Sequence, residues 1–337
     1  MKAVVLVGGE GTRLRPLTET IPKPLLPFMN RPFLDHVLDH LAGHGVDEVV
    51  LSSSYLESEF REYLEGRAAR PAVTWITEER PLGTSGAVAG ARDLLDETFF
   101  VLNGDVLSDL DLGSLLAFHR ERRAVATIAL HRVEDARPFG LVETADDGRV
   151  TAFREKPADP IPADINAGTY VLEPRALAAV PIGVAVSIER ETYPALIEAG
   201  EPVFAMVAGG YWRDLGTPAA YLQAHMDALE GRVGGRTYPR PLLAGGARVD
   251  PSAEIGHDVV LGPEAAVGPR AKIVRSVVHR AATVGAEAVV EGAILGPRVA
   301  VGPGARVRGG VLAEGAVVER GAELADEALP PGAVAPA

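Results

Sequence analysis

Residues 8–27 of the chain read GGEGTRLRPLTETIPKPLLP and directly follow a short apolar run, Lys2–Val7. Three glycines in four positions leave little side-chain bulk, so backbone N–H groups can approach a ligand closely. Consecutive N–H groups in such a turn form a concave site for anions. Arg13, Arg15 and Lys23 add positive charge, and a guanidinium can bind two phosphate oxygens at once. The stretch therefore predicts a phosphate-binding loop after the first strand of a sheet.

The glycine spacing excludes two common nucleotide-binding motifs. No Gly-Lys-Ser/Thr closes the loop as in a P-loop, and the stretch lacks the G-x-G-x-x-G of dinucleotide-binding folds. A simple tight turn is the alternative for the first four residues alone. The complete string is more specific. It resembles the signature of the nucleotide-sugar pyrophosphorylases (sugar-1-phosphate nucleotidyltransferases), which reads G-G-x-G-T-R-L-x-P-L-T followed by P-K-P-L-x-P.

This resemblance implies that the loop binds a nucleoside triphosphate and stabilises the pyrophosphate that leaves. The nucleotide-binding residues that it implies in this stretch are Gly8, Gly9, Gly11, Thr12, Arg13 and Lys23.

Two acidic residues, Glu78 and Glu79, precede a Gly-rich segment, Leu82–Ala87, that opens a helix. In the family this segment contacts the nucleoside, which implies nucleotide binding by Gly83 and Thr84. Guanine presents adjacent N1–H and N2–H₂ donors, and one carboxylate can accept from both, whereas adenine, thymine and uracil lack that donor pair. We therefore predict that Glu78 or Glu79 selects guanine. A solvated acidic pair is the alternative.

Two aspartates in separate motifs are candidate metal ligands. Asp105 follows a predicted strand, at the end of an α/β sheet where ligands bind. The family has one metal-binding Asp in such an L-x-G-D segment and a second in a W-x-D-x-G-T segment, which here is Trp212–Thr217 with Asp214. Carboxylate and phosphate oxygens suit Mg²⁺. The resemblance therefore implies Mg²⁺ at Asp105 and Asp214, while an Asx turn and a helix N-cap are the respective alternatives.

Further segments resemble the family's sugar-phosphate site. Phe153–Pro157 corresponds to V-E-K-P, which implies that Glu155 accepts sugar hydroxyls and Lys156 binds the sugar phosphate. A carboxylate is only an acceptor and a lysine is a point charge, so both suit these roles, although a surface Glu–Lys pair is the alternative. Asn166, in an N-A-G segment, can both donate to and accept from a hydroxyl. The glycines assigned to the sugar site are Gly104 and Gly140.

The composition limits the classes of partner. The chain has 337 residues, enough for two domains with full cores. Its net charge of −13 disfavours nucleic acid and anionic membranes, because proteins that bind these non-specifically are usually basic. No cysteine is present, which excludes disulfides and thiolate chemistry and fits a reducing compartment. The N-terminal apolar run is too short for a signal peptide and no run approaches the roughly 20 residues of a membrane span, so we expect a cytoplasmic protein.

Residues 1 to about 230 alternate β-rich runs with amphipathic helices, which is typical of an α/β sheet. The resemblance makes this a Rossmann-like nucleotidyltransferase domain with a mixed central sheet. The predicted strands are Lys2–Val7, Glu48–Ser52, Val73–Thr77, Thr98–Leu102 and Ala124–His131, and the predicted helices are Pro32–Ala42, Ser85–Leu95 and Ser114–Arg122. On the first helix the leucine spacing predicts the face that packs on the sheet. His36, His40 and His44 fall on the opposite face, where we predict solvated side chains rather than a metal site.

The C-terminal part has a period of six. Aliphatic residues recur every sixth position in two series: Ile255, Leu261, Val267 and Ile273, then Val289, Leu295, Val301 and Val307. Small residues fill the corners, and the pattern is typical of a left-handed parallel β-helix of hexapeptide repeats. The register slips between the two series, so one coil should be irregular. We expect a catalytic domain over 1–232, a linker over 233–246, the β-helix over 247–325 and a loose tail over 326–337, with self-association through the β-helix.

Within the family, the segments around residues 79–84 and 187–191 are similar to the guanylyltransferases that act on mannose 1-phosphate, although Gly104 is often Ser in those proteins. The implied reaction is attack of a sugar 1-phosphate on the α-phosphorus of GTP, with release of pyrophosphate. Its catalytic residues would be Arg13, Lys23, Asp105 and Lys156. The alternatives are the same chemistry with another nucleotide and sugar 1-phosphate, an acyltransferase with His257 or His279 as general base, and a regulatory paralogue without activity.

Overall fold

A computed structural model of the chain describes residues 1–53, 57–65, 67, 70–154 and 157–337. The chain divides into two units, each made of two stretches of sequence. The first unit comprises Met1–Gly9 and His36–Trp212, and the second comprises Glu10–Asp35 and Arg213–Ala337. The glycine-rich loop is therefore shared between the units, because Gly8 and Gly9 belong to the first and Gly11 to the second.

The first unit is built on a nine-stranded mixed sheet. Its strands are β1 Lys2–Leu6, β2 Glu48–Ser53, β3 Ala72–Thr77, β4 Phe99–Asn103, β5 Ala126–Val133, β6 Leu141–Thr144, β7 Val150–Arg154, β8 Ala163–Leu172 and β9 Val203–Val207. The order is β7-β6-β8-β4-β1-β2-β3, and β5 pairs with both β8 and β9. Strands β1 to β4 are parallel, and β8 runs antiparallel to β4. This mixed sheet confirms the predicted fold class of the first part of the chain.

Six α-helices accompany these strands among the described residues: α1 Phe33–Gly43, α2 Glu57–Glu65, α3 Gly83–Gly90, α4 Leu112–Arg122, α5 Tyr193–Glu198 and α6 Pro218–Leu229. Shorter 3₁₀ turns span Thr12–Leu14, Leu17–Glu19, Lys23–Leu25, Arg92–Leu94 and Pro174–Leu177, and a π-helical turn spans Ile188–Thr192. Short strands span Pro27–Phe28, Arg31–Pro32, Val106–Ser108 and Trp212–Asp214. Among the residues that the structure describes, no helix is long and apolar enough to cross a bilayer.

The central strands are apolar because they are covered on both faces. Residues of β1, β4, β5 and β8 form one core with α3 and the segment 176–193. Helix α1 buries its leucines as predicted, but the prediction for its histidines is wrong in part. His36 is only 7 % exposed, and it lines a small cavity with His40, Asn103 and Thr169. The buried face of α1 is thus wider than the leucine spacing alone indicates.

The C-terminal part of the second unit consists of three parallel sheets, consistent with the predicted left-handed β-helix. One sheet contains Leu242–Leu243, Val259–Leu261, Ser276–Val278, Ile294–Leu295, Val311–Leu312 and Ala328–Leu329. The next contains Arg248–Val249, Ala266–Val267, Thr283–Val284, Ala300–Val301, Val317–Val318 and Val334–Ala335. The third contains Glu254–Ile255, Lys272–Val274, Val289–Glu291, Arg306–Arg308 and Glu323–Ala325.

The slip in the hexapeptide register has a simple cause. Ile255 pairs with Ile273 and Ile273 pairs with Val290, so the coil shortens from 18 residues to 17. Later coils keep the shorter length, with one five-residue side. Val290 is fully buried, whereas Val289 is partly exposed. The sequence interpretation that Val289 points inward is therefore wrong by one residue.

The coils stack closely at their corners. A Cβ on Gly262 would lie 2.7 Å from the backbone N of Arg280, so a glycine is needed where these two coils meet. The stacking continues to the end of the chain, because Ala328–Leu329 and Val334–Ala335 pair with the preceding coil. Part of the stretch expected to be a loose tail therefore belongs to regular sheets.

Within the second unit, the N-terminal segment and helix α6 pack on one sheet of the β-helix. A cluster of buried apolar side chains joins the three parts: Leu14, Leu17, Leu26, Tyr221, Ile294 and Val311. The Tyr221 hydroxyl donates to the Pro27 carbonyl and lies 3.2 Å from His279 Nε2. Asn30 Nδ2 donates to Leu261 O at 3.0 Å.

Candidate active site

In the first unit, the candidate site lies where parallel strands end. Strands β1 and β4 are adjacent, so their carboxyl ends share one edge of the sheet. Gly8 and Gly9 follow β1, and Asp105 follows β4. The Gly104 N–H donates to Leu6 O at 2.9 Å, and a Cβ on Gly104 would lie 2.8 Å from the same oxygen. Gly104 thus lets the turn with Asp105 approach the strand that leads into the glycine loop.

Glu78 is a buried carboxylate beside this loop. Its Oε1 accepts from the Ser52 hydroxyl at 2.8 Å, and its Oε2 accepts from the Leu82 N–H at 2.9 Å. A Cβ on Gly8 would lie 3.7 Å from Glu78 Oε1. The structure therefore brings together the predicted phosphate loop and one predicted base-recognition residue. Glu79 is exposed to solvent.

The predicted nucleoside-binding segment is attached to a second loop, residues 184–188. Gly83 has φ +67°, and a Cβ there would lie 2.8 Å from Val186 O, so both backbone conformation and space favour glycine. The Ile188 N–H donates to Thr84 Oγ1 at 2.7 Å, and the Thr192 hydroxyl donates to Ser85 Oγ at 2.7 Å. The Thr84 hydroxyl thus already has a protein partner.

The predicted sugar-site residue Asn166 lies in a group of polar side chains. Its Nδ2 donates to the Tyr170 hydroxyl at 2.8 Å and to Glu189 Oε1, while its Oδ1 accepts from the Gly168 N–H at 2.9 Å. Gly168 has φ +72° and packs against Asn103. The other predicted sugar-site glycine, Gly140, lies beside Arg154: a Cβ on it would be 3.4 Å from Arg154 O.

Asp105 belongs to the same neighbourhood. Burial raises the pKa of the Tyr170 hydroxyl well above its usual range, and the negative charges of Glu189 and Asp105 raise it further. Tyr193 is also fully buried, and its pKa is raised by burial, then by Tyr170 and Glu189. Both hydroxyls therefore remain protonated near Glu189. The Tyr170 hydroxyl accepts from Asn166 Nδ2, whereas the buried Tyr193 hydroxyl has no hydrogen-bond partner among the described residues.

In the second unit, Gly11 begins the segment that carries the predicted cations. It has φ +62°, and the Thr18 hydroxyl donates to its carbonyl at 2.8 Å. The exposed Thr12 and Arg13 follow in a 3₁₀ turn. Arg15 pairs instead with Glu10 at 3.4 Å on the surface.

Asp214 lies between two of these cations. Lys23 Nζ is 3.6 Å from Asp214 Oδ1, and Arg13 Nη2 is 3.5 Å from Asp214 Oδ2. The Lys23 side chain is only 8 % exposed, whereas that of Arg13 is 65 % exposed. Asp214 Oδ1 is buried and accepts no hydrogen bond from the described residues. The structure thus brings together three predicted site residues from distant parts of the sequence.

Asp227 was not singled out by sequence reasoning. It is 1 % exposed, and its Oδ2 accepts from Arg213 Nε at 3.1 Å and Nη2 at 2.9 Å. Its Oδ1 accepts from Gln223 and Arg232 at 2.8 and 3.1 Å. The Asp227 carboxylate therefore holds Arg213, the residue directly before Asp214, in place. An aspartate on the helix α6 carries no motif, so only the three-dimensional contact identifies it.

Other predictions have mixed outcomes. Glu155 and Lys156 lie outside the described residues. His279 is buried, and burial together with the nearby His225 lowers its pKa to about 3. A general base must reach its substrate, so this buried side chain does not support an acyltransferase site. His257 lies 3.4 Å from the Arg240 carbonyl and has no motif around it.

Comparison with known proteins identifies the family. Residues 2–231 match the model of the family described as nucleotidyl transferase, and residues 238–331 match the GMPPB C-terminal domain. The chain belongs to the nucleotidyl transferase family. It is a nucleotidyltransferase enzyme, as predicted from the glycine-rich signature.

Relatives of this nucleotidyl transferase share most of its length. It is 42 % identical over 301 residues to a mannose-1-phosphate guanylyltransferase of Mycobacterium tuberculosis, covering 86 % of this chain and 82 % of that one. It is 40 % identical over 277 residues to mannose-1-phosphate guanylyltransferase 1 of Arabidopsis thaliana, covering 79 % and 76 %. The crystal structure of HddC from Yersinia pseudotuberculosis complexed with GMP-PN superposes with a TM-score of 0.59 and 29 % identity, covering 66 % of this chain and 97 % of that one.

Proposed function

We propose that this nucleotidyl transferase transfers a guanylyl group from GTP to mannose 1-phosphate, giving GDP-mannose and pyrophosphate. The observation that carries the choice of guanine is the Glu78 carboxylate. It is held beside Gly8 by one hydroxyl and one N–H, and a carboxylate has about four acceptor positions, so each oxygen can still accept from guanine N1–H and N2–H₂. The names of the relatives support the same nucleotide and the same sugar.

The proposed mechanism depends on charge and position, since phosphoryl chemistry of this kind needs little covalent help from the protein. Arg13 and Lys23 would bind the pyrophosphate as negative charge develops on it. The glycine loop would bring backbone N–H groups to the phosphates. Lys156 would offset the charge of the attacking sugar phosphate, because two anions must approach each other.

The proposed cofactor is Mg²⁺, held in part by Asp105 and Asp214. Among the described residues no three acidic or histidine side chains cluster as a metal site, but Mg²⁺ is commonly bound by one or two carboxylates together with substrate phosphates. Asp214 Oδ1 is buried and accepts no hydrogen bond from the described residues, so this oxygen is suited to bind the ion. When bound, the ion would neutralise phosphate charge and orient the attacking phosphate.

The decisive experiment measures pyrophosphate release with Mg²⁺ across four nucleoside triphosphates and a panel of sugar 1-phosphates. We expect turnover confined to GTP with mannose 1-phosphate. Turnover with a different pair would overturn the specificity and retain the chemistry. A folded protein that releases no pyrophosphate with any pair would overturn the proposed function, and release of free CoA from acetyl-CoA would then favour acyl transfer.

We also propose that the chain self-associates through the β-helix. The outward residues of its second sheet are uncharged from Ala266 to Val334, which is 57 % exposed. The third sheet instead carries exposed ion pairs such as Lys272–Glu254. Val334→Glu should reduce the mass measured by light scattering, and an unchanged mass would exclude this face. A cytoplasmic location and domain boundaries near residues 232 and 247 complete the proposal, testable by cell fractionation and limited proteolysis.

A further inference from the structure

The side chain of Asn166 has little capacity left for a sugar. An amide offers two N–H donors and one oxygen with two lone pairs. Both donors are engaged, one by the Tyr170 hydroxyl and one by Glu189, and the Gly168 N–H uses one lone pair. A single acceptor position remains. Asn166 is therefore better placed to hold Glu189 and Tyr170 than to recognise a hydroxyl in its own right.

Glu189 has the opposite character. Its side chain is exposed, its Oε1 accepts from Asn166, and its negative charge raises the pKa of the nearby Tyr170 hydroxyl. In the part of the chain that the structure describes, no lysine or arginine forms an ion pair with Glu189. A neutral amide donor thus holds the carboxylate without cancelling its charge. The second oxygen, Oε2, accepts no hydrogen bond from the described residues and can accept one from a ligand.

The backbone around Glu189 is also firmly held. It lies on the π-helical turn Ile188–Thr192, a rare geometry that occurs frequently at functional sites. Ser187 caps this turn by accepting from the Arg190 N–H at 3.2 Å, and the Glu191 carboxylate accepts from the Ser187 N–H at 2.8 Å. The turn is fastened to Thr84 of the nucleoside-binding segment at 2.7 Å. Glu189 is therefore positioned by the same loop that is predicted to bind the nucleoside.

We infer that Glu189 is a specificity-determining residue that accepts a hydrogen bond from a hydroxyl of the sugar 1-phosphate, with Asn166 as its positioning residue. The inference rests on the proposed function and deepens it. Glu189 can discriminate between sugars because a sugar hydroxyl donates to its Oε2. A deoxy sugar would cover the same oxygen without donating a hydrogen bond to it. Gly168, whose N–H donates to Asn166, packs against Asn103, two residues before the proposed Mg²⁺ ligand Asp105.

The experiment compares wild type with Glu189→Ala and Glu189→Gln, using mannose 1-phosphate and its 2-, 3-, 4- and 6-deoxy analogues. We expect kcat/KM for mannose 1-phosphate to fall about tenfold to a hundredfold in Glu189→Ala, as for loss of a hydrogen bond to a charged group. The KM for GTP should change little. Wild type should use at least one deoxy analogue with a much lower kcat/KM than mannose 1-phosphate. Glu189→Ala should use that analogue and mannose 1-phosphate with similar kcat/KM values.

The matched control is Glu198→Ala, which removes an exposed carboxylate from the adjacent helix α5 and should leave every ratio unchanged. The double variant Asn166→Ala/Glu189→Ala should be no worse than Glu189→Ala alone, because Asn166 acts through Glu189. Additive losses would show that Asn166 binds the sugar directly and would overturn its assigned role.

Two failures are distinguishable. If wild type uses GTP and mannose 1-phosphate but Glu189→Ala keeps its discrimination among the deoxy sugars, the assignment of Glu189 is overturned and the proposed function stands. If wild type uses a different sugar 1-phosphate, the deoxy analogues of that sugar test Glu189 in the same way. If wild type releases pyrophosphate with none, both proposals fall together.

Discussion

The two units hold their important carboxylates in different ways. In the first unit, Glu78 and Glu189 are bonded by hydroxyl, amide and backbone N–H groups, and no charged partner is among these. In the second unit, Asp214 lies beside a lysine and an arginine, and Asp227 lies between two arginines. The first arrangement orders the carboxylate and leaves its negative charge, whereas the second largely cancels it.

This difference matches two kinds of ligand chemistry. A carboxylate with its charge intact attracts the N–H groups of a base or the hydroxyls of a sugar. A carboxylate between cations allows positive side chains to stand close together where phosphates bind, without strong repulsion between them. The comparison therefore predicts that substitutions of Glu78 and Glu189 alter selectivity, whereas substitutions in the groups around Asp214 and Asp227 alter turnover and stability.

The largest expected effect is on stability. Asp227→Ala removes a 1 % exposed carboxylate and leaves Arg213 and Arg232 without it. We expect the free energy of unfolding to fall by about 3 kcal/mol, because the variant loses four hydrogen bonds to a buried carboxylate and leaves the partly buried Arg213 guanidinium without them. Urea unfolding measures the change. Glu254→Ala, which breaks an exposed pair with Lys272, should cost less than about 1 kcal/mol. Equal losses in the two variants would contradict the distinction between these pairs.

Turnover should be most sensitive to Lys23. We expect Lys23→Met to lower kcat about a hundredfold to a thousandfold, as for loss of one group that stabilises developing charge. Steady-state pyrophosphate release measures kcat, and thermal unfolding confirms that the variant is folded. Lys272→Met removes the same charge from the surface of the β-helix and should change kcat by less than a factor of two. A Lys23→Met enzyme with near-normal kcat would remove Lys23 from the mechanism.

Selectivity should depend on Glu78 and not on Glu79. We expect Glu78→Gln to reduce the preference for GTP over ATP about tenfold to a hundredfold, because an amide cannot accept from both guanine donors as a carboxylate does. The ratio of the two kcat/KM values measures this preference. Glu79→Gln, which changes an exposed neighbour, serves as the control. If Glu78→Gln and Glu79→Gln both keep the wild-type ratio of kcat/KM for GTP to that for ATP, neither residue selects guanine.

The smallest expected effect is a loss of stability when the pH is lowered. His279 is buried against Tyr221 and His225, and its pKa is lowered from 6.5 to about 3. Between these values the unfolded chain binds a proton that the folded chain does not, so stability falls as the pH is lowered through this range. We expect this side chain to contribute a loss of about 1 kcal/mol between pH 6.5 and 5.5. Urea unfolding at both values should show a smaller loss in His279→Gln, and His257→Gln should behave as wild type. Parallel curves for His279→Gln and wild type would contradict the assignment.

Most of the fold could be predicted from local patterns. The glycine-rich stretch, the alternation of strands and helices, and the hexapeptide period each depend on residues that are close in sequence. The five-residue side of the β-helix could not be read in the same way, because Val289 and Val290 are both apolar and only stacking decides which one points inward.

The candidate site was predictable only where a motif marks it. Arg13, Lys23 and Asp214 were identified by separate motifs, and the structure shows that they form one group. Glu189 and Asp227 had no assigned role, since their importance comes from contacts with Asn166 and Arg213 that sequence spacing does not encode.

The attachment of the N-terminal segment to the β-helix has a consequence for synthesis on the ribosome. Leu14 shares its buried cluster with Ile294 and Val311, which are translated about 280 residues or more later. At about 5–20 residues per second, the segment that carries Arg13 and Lys23 waits roughly 15–60 s before its apolar side can be covered. The nascent chain therefore exposes the segment with the proposed pyrophosphate-binding cations for most of its synthesis, which makes this segment a candidate for chaperone binding before the last coils emerge.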